Sequence, residues 1–585
     1  MKELSTETRL LLATVLSIGV IAVWGYIYKP PAPPRPAPTS TQSNPAPQTT
    51  ASPSASSPSP ANAAPGSASS VSAAPAAATP AALAASAETS FVIENDLYRV
   101  SFSNRGAVVR SWELKKETDD KGKTLDLVHS AASEQLGGWP LSLTLDDPQA
   151  EAAVNAALFS MTPQYSGTIH TPAEIEFAWS DGKTSVTKRL KFAADYILDL
   201  ETSVLIDGKP VTHGVAWRGG FGDSTAFHAA DLVRIVHHAD GKLTDIETKK
   251  LGAPGAQDQR VIQPGQADYA GIVDHYFAAI FLPSNPTASN LLLRHWKLDW
   301  KYEVDAKPVT EPVAEMSVSS ATTDGLRLRL FVGPKDLDDL ARIRPPLTDL
   351  VQFGWFGVIA KPLLLLLKWI HGYVPNWGWA IVLMTILINV VLFPLKMQSW
   401  RSMQKMQKVG PEVRQIQDRY KKYSMRDPRK QEMQKEVMVV YKREGINPAG
   451  GCVPMLFQMP IWFSLYRMLG VVIELRHAPW MAWIRDLSAP DPYYILPVLM
   501  GVTMYVMQKM TPVTTTDPAQ QRMMTMMPLM FGGMFVIFPV ASGLVLYILT
   551  SNLVNMGQQA FLNRSGPVAN DDGKNGKKTK KKQDA

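Results

Sequence analysis

Three apolar runs in the last third of the chain carry polar side chains that hydrocarbon rejects. WGWAIVLMTILINVVLFPL (377–395) holds Asn389. The run that begins at Cys452 holds Gln458, Ser464 and Arg467. SGLVLYILTSNLVNMGQQAF (542–561) holds Tyr547, Ser551, Asn555 and Gln558. Polar groups in a bilayer mark a cavity, a pathway or a helix–helix contact. Residues 396–447 follow the first run and contain fourteen Lys/Arg against six Asp/Glu, a bias that keeps a loop in the cytoplasm. The chain therefore reads as a polytopic membrane protein with a polar interior and a basic cytoplasmic handle.

The other spans follow from the same logic. Residues 10–28 are mostly apolar behind Lys2 and Arg9 and end in aromatics rather than a small-residue cleavage site, so residues 1–29 predict an uncleaved signal anchor. Residues 30–90 are almost all Pro, Ala, Ser and Thr, a composition that cannot offset its ordering entropy. They predict a disordered linker. The membrane core is expected over 374–562, with spans at 374–395, 452–474, 493–510, 523–539 and 542–561. With the anchor this makes six spans, both termini in the cytoplasm and a basic tail at 563–585. Residues 336–373 carry Lys361, Lys368, His371, Trp355 and Trp369 among leucines, the pattern of an amphipathic helix lying in the membrane interface.

Between linker and core, residues 91–335 show alternating strands and predict an exported all-β sandwich. Asp181-Gly182, Asp207-Gly208, Asp240-Gly241 and Asp324-Gly325 are expected hairpin turns, because Asp-Gly tolerates the positive φ of a tight turn. With Cys452 the sole cysteine, no internal disulfide supports this domain. Neither Gly-Lys-Thr, at 122–124 or 182–184, has the preceding glycine of a phosphate loop. His237-His238 has no partner spacing for a metal or a nucleophile. No cofactor and no enzymatic activity are expected.

The basic stretch predicts a cytoplasmic helical hairpin over 398–443. Met403, Met406, Ile416 and Tyr420 fall on one face of its first helix, Arg414 among the charges, and Met433, Val437 and Val440 on the second. It serves equally as a solvated coiled coil or as a docking arm with adaptable methionines. In the last run, Tyr547, Ser551, Asn555 and Gln558 share one helix face, and Asn389 and Gln458 each lie roughly 9 Å inside the cytoplasmic boundary. Such groups line a shared polar space or hydrogen-bond between packed helices. A solute transporter would add inverted repeats, and no such internal symmetry is visible. A scaffold for other membrane complexes is compatible with either reading.

NPAGGCVPMLFQMPIW (447–462), DLSAPDPYYILPVLMGVTMYVMQKM (486–510), TTDPAQQRMMTMMP (515–528) and FPVASGLVLYILTSNL (538–553) resemble the Oxa/Alb/YidC family of membrane protein insertases, in its Gram-negative form with a large periplasmic domain. The resemblance implies a five-helix core around a hydrophilic groove open to cytoplasm and lipid, working without nucleotide. It implies that newly made membrane proteins are inserted alone or with the Sec translocon. Ribosomes would bind through the basic tail and cytoplasmic loops, and membrane lipids are further partners. Carried over by position, Thr385, Gln458, Trp462 and Tyr547 would contact substrate, within a groove that also takes in Asn389, Ser464, Arg467, Ser551 and Asn555. The family usually places an arginine where this chain has Asn389. Arg467 either supplies that charge or snorkels toward the outer headgroups.

Overall fold

The computed structural model describes residues 82–564, apart from 226–228, 255–258, 263–266, 285–290, 305–306, 321–322, 324, 424–426, 447–452, 512–517 and 539. The expected anchor, the linker as far as residue 81, the Gly-Gly-Cys junction at 450–452 and the tail beyond 564 lie outside the described residues.

Strands fill the chain from Ser90 to Pro334 and form two five-stranded sheets and one of ten strands. Alternation drives this. Along Thr184–Phe192 every second residue is buried, which gives the strand one core face and one solvent face. The sheets meet through aromatics: Trp112 of one five-stranded sheet lies 6.4 Å from Trp217 of the other, and both are buried. Burying one such ring is worth roughly 5 kcal/mol as an upper figure. Three short helices, α1 (Ser130–Leu136), α2 (Pro148–Ala156) and α3 (Ala229–Leu232), interrupt the strands.

The hairpin expectations divide. Asp181-Gly182 and Asp240-Gly241 do join paired antiparallel strands. Asp207-Gly208 closes a ladder of only two pairs, Leu205 with Pro210 and Ile206 with Lys209. Pro210 has no N–H to extend that ladder, and the next strand, His213–Trp217, pairs in a different sheet. The strands flanking Gly325 also belong to different sheets, so no hairpin forms there; Asp324 is outside the described residues. The domain starts earlier than composition predicts. Leu83 N–H donates to Ser180 O at 2.8 Å, and Glu88 pairs with Arg105.

The helical half begins with α4 (Leu337–Arg342), capped by the Asp336 carboxylate. Then come α5 (Gly357–His371), α6 (Trp377–Val391), α7 (Phe393–Arg419), α8 (Arg429–Arg443), α9 (Val453–Val471), α10 (Ile495–Met510), α11 (Pro518–Ile537) and α12 (Ser542–Arg564). Pro394 in the first turn of α7 supplies no N–H to the preceding helix, and α6 and α7 bend by 54° at the break. The first hairpin helix is therefore 27 residues long and starts at Phe393, not short and not at residue 398. It pairs with α8 through buried Val413, Ile416 and Val440, with Tyr420, Met433 and Val437 packed alongside. Met403 and Met406 stand outside that small core.

Where composition predicts six spans, only Gly354–His371 is by itself long and apolar enough among the described residues, while α6 with α7 qualifies as a bent pair. The stretch expected to lie in the interface thus satisfies the criterion for crossing. At 16 residues α10 is short, and Pro460 and Pro528 interrupt α9 and α11. Helix α12 packs against both α6 and α10. Helices α10 and α11 approach so closely that a Cβ on Gly532 would sit 3.0 Å from the Gly501 Cα.

A seam joins the two halves. Arg476 Nη2 donates to Asp223 Oδ2 at 2.6 Å, with the guanidinium 5.3 Å from the Phe277 ring, and both ion-pair side chains are almost fully buried. Lys368 Nζ lies 2.6 Å from Glu474 and 2.7 Å from Asp338. Hydrophobic packing runs through this seam without a break, from the strands into the helices.

Candidate functional site: a polar cluster between three helices

Asn376 caps α6 by accepting from Trp379 N–H, and its amide donates to the carbonyls of Pro479 and Trp480. That fixes the start of α6 against the loop near the β domain. Two turns along, Thr385 is buried and bonds its own helix at Ile381 O. One turn further, Asn389 is 1% exposed. Its amide donates to Thr385 O at 2.8 Å and to Ser551 Oγ at 3.4 Å.

The side chain opposite Asn389 is Lys396. Its Nζ donates to Asn389 Oδ1 and to Asn555 Oδ1, each at 2.6 Å. Gln558 Nε2 donates to the Asn389 backbone carbonyl at 3.0 Å, while Gln558 Oε1 is buried without a donor among the described residues. This is a cation held by neutral oxygens; no carboxylate pairs with Lys396 among the described residues. Nearer the β domain, Gln458 Nε2 donates to the buried Tyr547 hydroxyl at 3.1 Å. Helices α6, α9 and α12 thus contribute polar groups in two layers, with the first turn of α7 adding the charge.

Of the residues expected in a groove, Asn389, Ser551 and Asn555 join through Lys396, Thr385 backs them, and Gln458 meets Tyr547. Trp462 is half-buried one turn from Gln458 and stacks on Tyr466 at 6.1 Å. Ser464 turns elsewhere: buried, it bonds Pro460 O and reaches Phe356 O ahead of α5. Arg467 is exposed and makes no hydrogen bond or ion pair among the described residues. The charge beside Asn389 comes from Lys396, not Arg467, because nine residues of helix after Gln458 turn Arg467 about half a turn away. The bend between α6 and α7 brings Lys396, seven residues on, back to Asn389. The sequence shows the lysine only as the first residue of the basic stretch after Leu395.

In the hairpin, Tyr420 donates to Glu436 at 2.8 Å and Arg443 pairs with Glu412 at 2.6 Å. Arg414 points to solvent. At the β-domain end, Asp491 accepts from Leu496 N–H and Trp483 Nε1, and Gly543 N–H donates to Leu487 O at 2.8 Å. Buried Ile484 and Leu487 fill the space between. Lys396 and its partners lie at the other end, where α7 runs on into the hairpin. Among the described residues no group of three or more His, Cys, Asp and Glu is placed to hold a metal.

Two family models match the chain. The 60Kd inner membrane protein family covers residues 369–569, and the YidC periplasmic domain covers 90–366. A membrane protein insertase YidC from Wolinella succinogenes is 32% identical, with 96% of each chain covered. One from Geotalea daltonii is 33% identical over 96% of this chain and 100% of its own. A crystal structure of an active YidC insertase with its first transmembrane domain resolved aligns over 82% of this chain and 93% of its own, at 16% identity and a TM-score of 0.33.

Proposed function

The chain belongs to the YidC family of membrane protein insertases, and we infer that it inserts newly made membrane proteins into the inner membrane through the polar space between α6, α9 and α12. The observation that carries this reading is Lys396, a cation among amide oxygens with no carboxylate partner among the described residues. Moving a charged side chain through hydrocarbon costs roughly 2.5–3.5 kcal/mol on insertion scales. A polar space lowers that barrier by raising the local dielectric and supplying hydrogen-bond partners. An acidic group on an entering tail exchanges the Asn389 or Asn555 oxygen for its own at Lys396, while the apolar segment passes to lipid. Asn389, Ser551, Gln458 and Tyr547 hydrate and bond the peptide. The plug at Ile484 and Leu487 blocks a straight route to the periplasm, so the apolar segment leaves sideways.

In this reading no nucleotide is consumed. The Sec translocon hands over longer substrates, and the basic tail and cytoplasmic loops meet the ribosome. Six spans place both termini in the cytoplasm and the β domain in the periplasm. Helix α5 lies in the outer interface rather than crossing. Its Lys368 is held by Glu474 and Asp338 at the seam, which ties its C-terminal end to the periplasmic side. The test is reconstitution of the pure chain into liposomes, followed by protease protection of a one-span substrate with an acidic tail. Protection that rises with the protein and needs no ATP supports insertion. No protection with folded protein and competent substrate overturns it.

A further inference from the structure

Where α5 leaves the β domain, a pocket of about 530 Å³ opens beside Trp355. Its walls come from two sources. The strand Lys242–Glu247 contributes Asp245, the segment leading into α5 contributes Asp349 and Trp355, and the first turns of α5 contribute Val358 and Lys361. Helix α5 is two-faced here. Ala360, Leu364, Leu367 and Ile370 are buried, while Trp355, Val358, Leu365 and Trp369 are exposed, Trp355 to 99%. In an inner-membrane protein, lipid is what meets such a stripe, and the pocket opens onto it.

Lys361 stands within the outward stripe, exposed, with no ion pair among the described residues. A lysine there reaches for a headgroup phosphate. The other wall has the opposite sign. Asp349 keeps 56% of its side chain exposed, with only the His238 ring 3.6 Å away. Asp245 is already engaged by Arg234 at 2.5 Å. One unpaired cation and one loosely held carboxylate therefore face a space that is continuous with lipid.

We propose that this pocket binds the headgroup of a zwitterionic phospholipid with a primary ammonium, of the phosphatidylethanolamine type. Its phosphate sits on Lys361, its ammonium on Asp349, and its acyl chains run along Val358 and Trp355. The two charges of the wall match the two charges of the headgroup. A primary ammonium donates N–H bonds to a carboxylate, which a trimethylammonium cannot do, and charge-assisted bonds are the stronger kind. A purely anionic headgroup satisfies Lys361 but presents its charge to Asp349 and Asp245. The expected order is phosphatidylethanolamine above phosphatidylcholine above phosphatidylglycerol. The assignment rests on α5 lying in the interface.

The test uses the full chain in detergent with the three lipids at equal concentration and identical acyl chains, and native mass spectrometry counts the retained lipid. Wild-type protein is expected to retain phosphatidylethanolamine roughly tenfold over phosphatidylcholine, the scale of one charge-assisted bond. Asp349→Asn should erase that preference without lowering phosphatidylcholine, and Lys361→Gln should lower both. Equal retention by wild-type protein, or a preference unchanged in Asp349→Asn, overturns the proposal. Displacement by glycerophosphoethanolamine at the same concentration overturns it in favour of a soluble phosphoamine. The interfacial position is measured separately, as the loss of quenching by shallow brominated lipids in Trp355→Phe. Quenching that depends on Trp355, with no lipid preference, removes the pocket and leaves the interfacial helix standing. No such quenching removes both.

Discussion

Lys396 Nζ and Asn389 Oδ1 lie 2.6 Å apart across the break between α6 and α7. An amide thus occupies the buried position on the span, and the charge arrives from two turns further along. Because Asn389 is neutral, the lysine remains free to exchange partners.

Lys396→Gln should reduce insertion of acidic-tailed substrates roughly tenfold or more, the scale of a lost charge-assisted bond, and leave neutral-tailed substrates nearly unchanged. Lys396→Arg should retain most activity, and Asn389→Arg with Lys396→Gln should recover it. Protease protection in liposomes measures all three. Equal insertion of both substrate classes by Lys396→Gln would remove the lysine from the mechanism.

Arg467→Tyr, by contrast, should insert the same acidic-tailed substrate at the wild-type rate, since Arg467 is exposed away from the cluster. A loss comparable to that of Lys396→Gln would reinstate it as the site's charge.

Arg476→Ala leaves Asp223 buried and unpaired at the seam. Breaking such a pair costs about 3–5 kcal/mol. The expected results are a lower melting temperature and new protease cleavage between residues 335 and 375. Adding Asp223→Asn should restore part of the loss, because the stranded charge goes. If the double variant melts below Arg476→Ala, the penalty has another source.

Two lysines set a pH dependence. Lys188 is buried, donating to the carbonyls of Gly106, Ala107 and Leu141 with the Phe159 ring 5.7 Å away, and burial pushes it down to about 7. Burial likewise pushes Lys335 down to about 8. The unfolded chain holds these protons up to its ordinary lysine value, so it binds more protons than the fold across the interval. Stability therefore rises with pH there. The unfolding midpoint should climb from about pH 7.5 to about pH 9.5, a window above histidine and below tyrosine titration. Lys188→Met should flatten the slope while lowering the overall level, since three carbonyls lose their donor. A slope that Lys188→Met leaves unchanged would refute the assignment.

Gly378 faces Trp480 so closely that a Cβ there would lie 2.2 Å from the indole. Gly378→Val should displace that ring and loosen the plug, at roughly 1–3 kcal/mol or more. Hydrogen exchange at residues 476–491 should rise. Unchanged protection would show that the ring moves freely.

Much of this was legible in residues. The strands follow from alternation, and the pairing of α7 with α8 from the spacing of Val413, Ile416, Met433 and Val440. The stripe on α12 was visible as a period. What escaped depends on context. Pro210 ends a ladder that Asp207-Gly208 would otherwise extend, and the partner of His213–Trp217 is chosen by the sheet that covers it. Lys396 was concealed by chemistry, since a lysine after a proline reads as the first residue of a loop. The Ser464 bonds to Pro460 O and Phe356 O were not legible, because composition tells that a helix carries a hydroxyl, not which neighbour it meets.

The break at Leu392 makes α7 a lever. From there to Arg419 it runs about 40 Å, at 1.5 Å per residue. Lys396 rides close in on the same arm, about 6 Å from the pivot, four residues beyond Leu392. A swing that carries the hairpin tip about 10 Å moves the base of that lysine only about 1.5 Å, by the same proportion. That is enough to stretch a 2.6 Å bond beyond useful length. Whatever grips the hairpin therefore acts with mechanical advantage on the charge beside Asn389, and a large, soft displacement at the tip becomes a small, decisive one at the base.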